Sequence, residues 1–360
     1  MSRKLKVVVF GPPLSNSGGI GALFTYFREE MHQKVDLKFI DTRGKSRFAV
    51  LSIFNLGLAL ASASFLRLRR KIDVAHLNFG IRGSALRKLI LNFWLKSILR
   101  IPTVLHLHAS SFDAWIDNLS PGVKHVVVAQ INKADRVIVL GRTWEVKLLE
   151  IGVRKEIIRV IVLGVPSLLK PVSHSLRRVE IVKMLFAGEL TERKGFPSLI
   201  EAIARPELEN FSLLAAGAGD VTKFKAKLIE AGAQERVQFL GYLPLQKIHE
   251  YLNAVDVLVL PSRAEGLPVS VMEAFSAQVA VVCTNVGALG EYLSNDENSL
   301  VLDNTQPDYM ARQLIKLKDK NYRKKIAEGG RRTWKLNLNV TETSKQLVGL
   351  WVELTQRRPE

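Results

Sequence analysis

The sequence predicts an α/β protein of two doubly wound domains, each built on a parallel sheet. Three observations predict this class. The chain has 360 residues, which is too long for one compact core and fits two domains of ordinary size. Short, continuous apolar segments alternate with helical segments along most of its length. Residues 166–175 (PSLLKPVSHS) interrupt the alternation with two prolines and three serines, which indicates a linker.

The first domain is predicted over residues 1–168. A short β-rich run, a glycine-containing loop and a helix open it, and further strands follow with helical segments among them. The predicted strands are KLKVVVF, VDLKFID, IDVAHLNF, IPTVLHLH, KADRVIVLG and IIRVIVLG.

The second domain is predicted over residues 169–335, with a helix at about 197–204. Its predicted strands are VKMLFAGEL, FSLLAAGAG, RVQFLGYL, VDVLVLPS and VAVVCTNVG. Residues 336–360 contain a terminal helix at about 341–354, which could pack back on the N-terminal domain. Two such domains in tandem would face a central cleft, and open sheets bind ligands beyond the carboxyl ends of their strands.

Positive charge is concentrated in the first half of the chain. The net charge is +18, and residues 1–168 hold 26 Lys+Arg against 11 Asp+Glu, a balance of +15. Between Arg43 and Arg100 there are twelve basic residues and one acid, Asp73. Such a surface could meet nucleic acid, anionic lipid or a phosphorylated substrate.

The single cysteine and the longest uncharged run carry further expectations. Cys283 lies in AVVCTNVG, a predicted buried strand, so we expect a packing thiol in a reducing compartment and not a nucleophile. No secretory signal is evident, because the apolar run VVVF is too short for one. Residues 48–66 carry no charge over 19 positions, enough to span a bilayer. Several polar residues interrupt that run, so a buried helix is the preferred interpretation.

The segment PSRAEGLPVSVMEAF places two glutamates, Glu265 and Glu273, eight positions apart. It starts at a predicted strand end, and Pro268 suits the first turn of the following helix. Carboxylates at the two ends of this segment could accept hydrogen bonds from the hydroxyl groups of a sugar. The alternative interpretation is that Glu265 is a solvated loop residue and Glu273 a surface residue of the helix.

Backbone amides and cations near the same strand ends suggest an anion between the carboxylates. The amides of Gly266 and Leu267, together with the helix N-terminus, favour a diphosphate. Arg193 and Lys194 follow another strand of the same domain, in FAGELTERKGF, and could neutralise a departing diphosphate. On its own, such a pair is more often a solvated loop.

A glycine loop after the first strand could meet the same anion from the other domain. Gly18 and Gly19, in SGGIG, give the backbone room to approach a phosphate. The loop is not a Walker A loop, because no Gly-Lys-Ser/Thr follows, and it fails the spacing of the dinucleotide fingerprint.

These segments resemble glycosyltransferase family 4, whose GT-B fold has two Rossmann-like domains facing a central cleft. Its most specific part here is the Glu-x7-Glu element within PS-x2-EGLP. The carboxy-terminal resemblance rests on FAGELTERKGF, VQFLGYLPLQKIHEYLNAVDVLVLPSRAEGLPVSVMEAF and VVCTNVGALGEYL. The amino-terminal resemblance rests on SGGIGALFTYF, TVLHLHASSF and ADRVIVLGRTW. NFGIRGSALRKLILNFWLKSILRIPTVLHLHASSF is similar to the amino domain of bacterial enzymes of surface-polysaccharide assembly.

The resemblance implies a role for each candidate residue. Glu273 would hold the ribose hydroxyls of a sugar nucleotide, and Lys194 would bind its diphosphate. His108 would touch the sugar near its anomeric centre, as a catalytic residue together with Glu265. The remaining donor-binding residues, at the sugar and the diphosphate, would be Gly18, Gly19, Arg193, Gly266, Leu267 and Pro268.

The resemblance also implies the reaction and its setting. Such enzymes are retaining transferases that need no metal and no cofactor, with a nucleoside-diphosphate sugar as donor substrate. No paired Asp-x-Asp of a metal-dependent transferase is present in the sequence. The acceptor would be a glycan or a polyprenyl-diphosphate-linked glycan, met in the cytoplasm at the inner face of the cell membrane.

A basic segment supports an anionic membrane surface as a partner. ALRKLILNFWLKSILR, residues 85–100, combines four basic residues with aromatic and aliphatic ones, as interfacial helices do. The alternative is a helix packed inside the domain with basic ends.

Glu189 and the pair His106/His108 bear on phosphate and metal binding. Glu189 stands where the family commonly has an arginine, and a carboxylate would repel a diphosphate. Either Glu189 turns away and Arg193 supplies the second cation, or donor binding is weak. His106 and His108, two apart at a strand end, are expected to point to opposite faces, which disfavours a metal pair.

The sequence is also compatible with two other functions. One is a nucleotide-sugar epimerase-like enzyme with the same fold. The other is a basic nucleic-acid-binding protein, but the chain contains neither a helix-turn-helix signature nor an aromatic RNA-binding motif, so nucleic acid is not the expected partner.

Overall fold

The computed structural model describes residues 3–11, 19–42, 44, 49–168 and 181–356. The chain forms two compact units, Met1–Leu163 with Val340–Glu360, and Gly164–Asn339. The predicted domain bounds at residues 168 and 335 lie close to this division. Most of the predicted linker, from residue 169 onward, lies outside the described residues.

The first unit contains a six-stranded parallel sheet in the order β2-β1-β3-β4-β5-β6. All six residues of its central strand β3 are buried, as expected for a sheet covered on both faces. Its elements in chain order are β1 (Leu5–Gly11), α1 (Gly19–Met31), β2 (Val35–Asp41), α2 (Ala49–Leu68), β3 (Val74–Phe79), α3 (Gly83–Phe93), β4 (Thr103–Leu107), α4 (Phe112–Asp117), α5 (Pro121–Ile131), β5 (Arg136–Val139), α6 (Arg142–Glu150) and β6 (Ile158–Val160).

The second unit contains another six-stranded parallel sheet, in the order β12-β11-β10-β7-β8-β9. Its elements are β7 (Val182–Ala187), α7 (Phe196–Ile203), β8 (Phe211–Ala216), α8 (Val221–Glu230), β9 (Val237–Gly241), α9 (Leu245–Leu252), β10 (Val257–Leu260), α10 (Val269–Ser276), β11 (Ala280–Thr284), β12 (Leu300–Leu302), α11 (Pro307–Leu314) and α12 (Lys320–Asn337). The predicted α/β class with two parallel sheets is therefore confirmed. Cys283 is buried in β11, and burial raises the pKa of its thiol to about 12, as expected of a packing residue.

The C-terminal helix α13 (Val340–Gln356) is part of the first unit. It packs on α1 and β3, and Thr343 donates a hydrogen bond to the carbonyl of Val162 at 2.7 Å. The connections through α2, α3 and α5 cross the sheet in one direction, from β2 towards β5, and the connection through α1 crosses it in the other, from β1 to β2. Because parallel crossovers are right-handed, they place α2, α3 and α5 on one face of the sheet and α1 on the other.

Helix α2 differs from the buried helix expected over residues 48–66. One side is buried through Ala59, Ala63 and Leu66, but an apolar stripe on another side is exposed to solvent. That stripe consists of Phe54, Leu58, Phe65 and Leu68. The expectation was wrong because an uncharged run does not reveal whether a neighbouring element covers each side. Within the described residues, no helix has the length and apolar character that crossing a membrane requires.

The strand histidines of the first unit share one face, contrary to the expectation for His106 and His108. The rings of His106 and His108 lie 4.1 Å apart. The expectation was wrong because side chains two positions apart in a strand point to the same face. His76 on β3 completes the cluster, with its Nε2 3.0 Å from Nδ1 of His106.

Burial keeps these three rings uncharged. Desolvation lowers the pKa of His76 and of His108 to about 3, and it lowers the pKa of His106 well below the ordinary value. The neighbouring histidines lower the pKa values of His76 and His106 further. Below pH 6.5 the unfolded chain therefore binds more protons at these positions than the folded chain does.

We predict that stability falls as the pH drops from about 7 to about 5. The stabilisation is complete above the unfolded pKa of 6.5 and is lost towards the folded values near 3. Each neutral histidine can add up to about 1.4 kcal/mol per pH unit to this slope. Urea titrations across this range should give a shallower pH slope for His106→Gln than for the wild type. His32→Gln, at an exposed histidine outside this cluster, provides the control.

Candidate functional site

The candidate site forms at the carboxyl ends of three neighbouring strands of the second unit. Strands β11, β10 and β7 are adjacent in the sheet, and the chain segments that follow them meet at one edge. This edge is where open parallel sheets bind ligands. The segment after β7 contains Lys194, and the segment after β10 contains Glu265 and leads into α10.

Two glycines hold these segments against one another. Gly195 has a φ of +69°, and a Cβ atom there would lie 1.9 Å from the carbonyl oxygen of Pro261. Gly287 has a φ of +66°, and its Cβ would lie 2.2 Å from the carbonyl oxygen of Glu265. Only glycine combines this backbone conformation with such close approach. The amide of Ala288 then donates a hydrogen bond to the carbonyl of Gly266 at 2.9 Å.

Glu265 is buried and is held by a cation and a hydroxyl group. It is 8% exposed, and its Oε1 accepts hydrogen bonds from Nζ of Lys194 at 2.5 Å and Oγ of Ser262 at 2.6 Å. Nη1 of Arg193 lies 3.9 Å from the other carboxylate oxygen. The alternative interpretation of Glu265 as a solvated loop residue is therefore wrong.

Glu189 extends this pair into a row of alternating charges. Its carboxylate is exposed and lies 3.6 Å from Nη2 of Arg193, whose Nη1 donates to the carbonyl of Ala264 at 3.1 Å. Glu189 thus contacts the cation that was expected to replace the missing arginine. The row runs Glu189, Arg193, Glu265, Lys194, so two cations and two carboxylates balance one another.

Glu273 is also buried, on α10. It is 3% exposed, and its Oε1 lies 3.5 Å from Nε2 of His249 on α9. The alternative interpretation of Glu273 as a surface residue is therefore wrong. His249 was not predicted from the sequence, although it lies in one of the segments that resemble the family. Nothing in its spacing relative to Glu273 indicated that α9 would bring the two side chains together.

The N-terminus of α10 presents hydrogen-bond donors without acceptors. Helix α10 begins at Val269. The sequence predicted Pro268 in the first turn of this helix, but Pro268 lies one position earlier, as the N-cap residue. In the part of the chain that the structure describes, the amides of Gly266 and Leu267 donate no hydrogen bond. Unpaired amides at a helix N-terminus suit an anionic ligand.

The first-unit candidates lie in their own sheet. Gly19 is the exposed first residue of α1, and Gly18 lies outside the described residues. His108 directly follows β4, is half-buried, and donates its amide to the carbonyl of Phe79 at 3.1 Å. Its Nε2 is buried and has no hydrogen-bond partner among the described residues. The second unit brings Arg193, Lys194 and Glu265 into contact. Gly266, Leu267 and Pro268 follow Glu265 in the chain and lead into α10, which contains Glu273.

This arrangement can bind a ligand that is anionic at one end and rich in hydroxyl groups at the other. Lys194, Arg193 and the two amides can neutralise and hydrogen-bond phosphate oxygens. The buried carboxylates of Glu265 and Glu273 can accept hydrogen bonds from hydroxyls. The described residues include no cluster of three or more His, Cys, Asp or Glu arranged to hold a metal ion.

Residues 175–333 match the family model for glycosyl transferases group 1. The matched part contains Arg193, Lys194, Glu265 and Glu273, and therefore the whole second-unit site. The family model thus covers the residues that the fold assembles at the ends of β7 and β10.

Curated relatives are similar to part of the chain. The amylovoran biosynthesis glycosyltransferase AmsK of Erwinia amylovora is 26% identical over 191 residues, 49% of this chain and 46% of AmsK. The lipopolysaccharide core biosynthesis glycosyltransferase LpsE of Rhizobium meliloti is 32% identical over 148 residues, 41% of this chain and 42% of LpsE. The uncharacterized glycosyltransferase MJ1607 of Methanocaldococcus jannaschii is 32% identical over 130 residues, 36% of this chain and 33% of MJ1607. The alignments thus span between a third and a half of these relatives.

Solved structures share the fold over almost the whole chain. Alr3699/HepE of Anabaena, in complex with UDP and glucose, has a TM-score of 0.74 at 17% identity, covering 97% of this chain and 99% of its own. Sucrose-phosphate synthase of Thermosynechococcus elongatus has a TM-score of 0.79 at 17% identity, covering 99% and 100%. These similarities show the fold: two α/β units with parallel sheets, as in GT-B glycosyltransferases.

We predict that Lys194→Met destabilises the protein and that the double variant Lys194→Met/Glu265→Gln recovers most of the loss. Removing one partner leaves a buried charge unpaired and should lower the free energy of unfolding by about 3 kcal/mol. Chemical denaturation of both variants and of Glu265→Gln measures the coupling between the two residues.

The control for this pair is Lys227→Met, which removes a lysine from an ion pair of equal length with Glu201. Both of those side chains are well exposed. Its effect should stay below about 1 kcal/mol. Equal effects of Lys227→Met and Lys194→Met would show that burial of the Lys194–Glu265 pair contributes nothing.

Proposed function

We propose that the protein is a retaining glycosyltransferase that moves a sugar from a nucleoside-diphosphate sugar to a glycan acceptor. The observation that carries the proposal is the buried ion pair of Lys194 and Glu265 beside the unpaired amides of Gly266 and Leu267. The group 1 match over residues 175–333 covers these residues, and the matched relatives named above are glycosyltransferases.

The diphosphate of the donor would bind to the ammonium group of Lys194. Nζ of Lys194 is 2.5 Å from the carboxylate of Glu265. A phosphate oxygen beside Nζ would share its three donor hydrogens, because an ammonium can serve a carboxylate and a phosphate together. The amides of Gly266 and Leu267 would bind further phosphate oxygens, and Arg193 would add a planar pair of donors.

The two buried carboxylates would bind hydroxyls on either side of the diphosphate. We assign the ribose hydroxyls to Glu273 and a hydroxyl of the transferred sugar to Glu265. His249 would keep the Glu273 carboxylate in place through the 3.5 Å contact with Oε1. Ser262 would do the same for Glu265 through its 2.6 Å hydrogen bond.

The transfer step would break the bond between the anomeric carbon and the diphosphate oxygen. The acceptor oxygen would form its bond to that carbon on the same face of the sugar, and its proton would pass to the departing phosphate. Lys194, Arg193 and the α10 amides would stabilise the negative charge that develops on the leaving group. These groups supply the positive charge that a metal ion provides in other transferases, so we propose metal-independent catalysis with no cofactor.

His108 would act from the first unit as a neutral hydrogen-bonding residue. Desolvation lowers its pKa to about 3, so the ring is uncharged at neutral pH. Its Nε2 is buried and lacks a partner among the described residues. The residue as a whole is half-buried, and a hydroxyl of the transferred sugar, near the anomeric carbon, would contact its exposed part.

The acceptor is proposed to be lipid-linked and to be met at the inner face of the cell membrane, in surface-polysaccharide synthesis. Two of the matched relatives, AmsK and LpsE, are named for amylovoran biosynthesis and lipopolysaccharide core biosynthesis. The basic segment 85–100 contributes less charge than its sequence suggests. Lys88 is buried and donates to Oγ1 of Thr42 at 2.5 Å, and Lys96 forms an ion pair with Asp135. Burial also lowers the pKa of Lys88 to about 7.

We predict that Glu273→Gln weakens donor binding by about 10- to 100-fold while the protein stays folded. The reason is the loss of one or two charge-assisted hydrogen bonds, worth about 1.5–3 kcal/mol each. A thermal-shift screen over nucleoside diphosphates and their sugars first identifies the donor, because a bound ligand raises Tm. Titration of that donor then gives the affinities of the wild type, of Glu273→Gln and of the control Glu201→Gln.

Turnover tests the reaction itself. The double variant Lys194→Met/Glu265→Gln should remain folded and should lose transfer to an acceptor by at least about 100-fold. Wild-type turnover in both this variant and Glu273→Gln would exclude the proposed site. Conversion of the sugar nucleotide without an acceptor would indicate the epimerase-like alternative.

A further inference from the structure

A groove lies between the edge strand of the first sheet and helix α2. It has a volume of about 350 Å³, within the range of ligand pockets. Its wall is mostly apolar and includes one cation. The lining residues are Lys38, Ile40, Ala61, Ser62, Phe65 and Leu66.

The strand alternation sets the chemistry of the groove. Strand β2 is the edge strand of its sheet, and Lys38 and Ile40, two positions apart, both point towards α2. Phe39, between them, points to the other face, where its ring lies 5.7 Å from that of Phe24 on α1. One side of β2 thus lines the groove, and it contributes the apolar side chain of Ile40 and the single amine of Lys38.

The exposed stripe of α2 continues from this groove. Phe54, Leu58, Phe65 and Leu68 recur at helical spacing, and their exposed fractions run from 49% to 83%. Phe65 belongs to both the stripe and the groove. Monomeric soluble proteins rarely expose apolar surface of this kind without a partner for it.

A second exposed stripe lies on the adjacent helix α3. It consists of Leu86, Ile90 and Phe93. The two helices are linked where Nε1 of Trp94, directly after α3, donates to Oγ of Ser64 on α2 at 3.2 Å. Because α2 and α3 lie on the same face of the sheet, the two stripes belong to one side of the first unit.

The charges near the groove are mainly positive. Lys38 is exposed and forms no ion pair with any described residue. The guanidinium of Arg69 lies 5.3 Å from the ring centre of Phe65, and Arg70 and Lys71 follow it in the sequence. Helix α2 itself contains no acidic residue. The nearest acid on the same side of β2 is Asp36, two positions from Lys38.

We propose that this groove binds one hydrocarbon chain of an anionic phospholipid in a bilayer. The chain would lie against Ile40, Ala61 and Phe65, and the α2 stripe would enter the interface beside it. Lys38 and Arg69 would meet the phosphate of the headgroup. The proposal gives the proposed membrane location a defined lipid site, and it does not depend on the transfer reaction.

Charge favours a lipid over a second copy of the chain. A twofold dimer through this surface would place the same basic residues of both copies near one another. An anionic bilayer instead provides opposite charge for Lys38, Arg69 and Arg70 together with apolar volume for the stripe. The positive balance of the first half of the chain adds long-range attraction to the same surface.

Vesicle co-sedimentation of the full chain tests the site. Vesicles of phosphatidylcholine alone are compared with vesicles that also contain phosphatidylglycerol. Ala61→Trp should fill the groove and reduce binding to the anionic vesicles by about tenfold or more. Its control, Ala129→Trp, places the same side chain at an exposed alanine of α5 and should bind like the wild type.

Two further variants separate charge from apolar insertion. Lys38→Gln should reduce anionic-vesicle binding by about fivefold, and Lys34→Gln, at an exposed lysine just before β2, should not. Leu68→Glu should weaken binding without disturbing the fold, because Leu68 is the most exposed residue of the stripe. Leu336→Glu, at a 79% exposed leucine of α12, is its control.

The outcomes distinguish this proposal from the proposed reaction. Selective loss in Ala61→Trp, Lys38→Gln and Leu68→Glu, with an unchanged donor-induced rise in Tm, supports the lipid site. Equal binding of all variants, or equal binding to both kinds of vesicle, overturns it. Concentration-dependent dimers that Leu68→Glu abolishes, without any vesicle binding, would assign the surface to a second copy.

Discussion

The ion pair between Lys194 and Glu265 is the interaction on which the second-unit site depends. It joins the segments after β7 and β10 at a position that is largely closed to water, and Ser262 and Arg193 complete its surroundings. Gly195 and Gly287 make this approach possible because no side chain intervenes between the segments. The positive and negative charges of these side chains therefore balance one another. A diphosphate that binds here has to compete with the carboxylates for the two cations, which favours a ligand with several anionic oxygens.

Charged residues are distributed differently in the two units of the chain. In the second unit, cations and carboxylates alternate around one site, and the sequence from residue 169 onward is nearly balanced at +3. In the first unit the excess of positive charge is large, but Lys88 is buried and Lys96 forms an ion pair with Asp135. Neither lysine therefore adds to the unpaired positive charge at the surface. The charge that remains exposed near α2 lies beside apolar side chains. Composition alone therefore described the amount of charge but not the surface that presents it.

Patterns with a strong physical basis were predictable from the sequence. Eleven strands were expected and found, because continuous apolar runs identify buried parallel strands. β12 was missed because its apolar run is only LVL, bounded directly by Ser299 and Asp303. The sequence singled out Glu265 and Glu273, and both carboxylates are buried; their roles in binding stay predictions. What could not be predicted depends on tertiary neighbours: the contact of His249 with Glu273, the pairing of Glu189 with Arg193, and the uncovered side of α2. No local pattern encodes which distant element lies against a given side chain.

The sheltered position of Cys283 in β11 has a practical consequence for spectroscopy. A thiol that is buried and protonated reacts slowly with maleimide and methanethiosulfonate reagents, which require the thiolate. The native chain can thus serve directly as a background for single engineered cysteines. Spin labels or fluorophores attached at chosen surface positions would report separations between the two units in solution, with the natural core residue left in place.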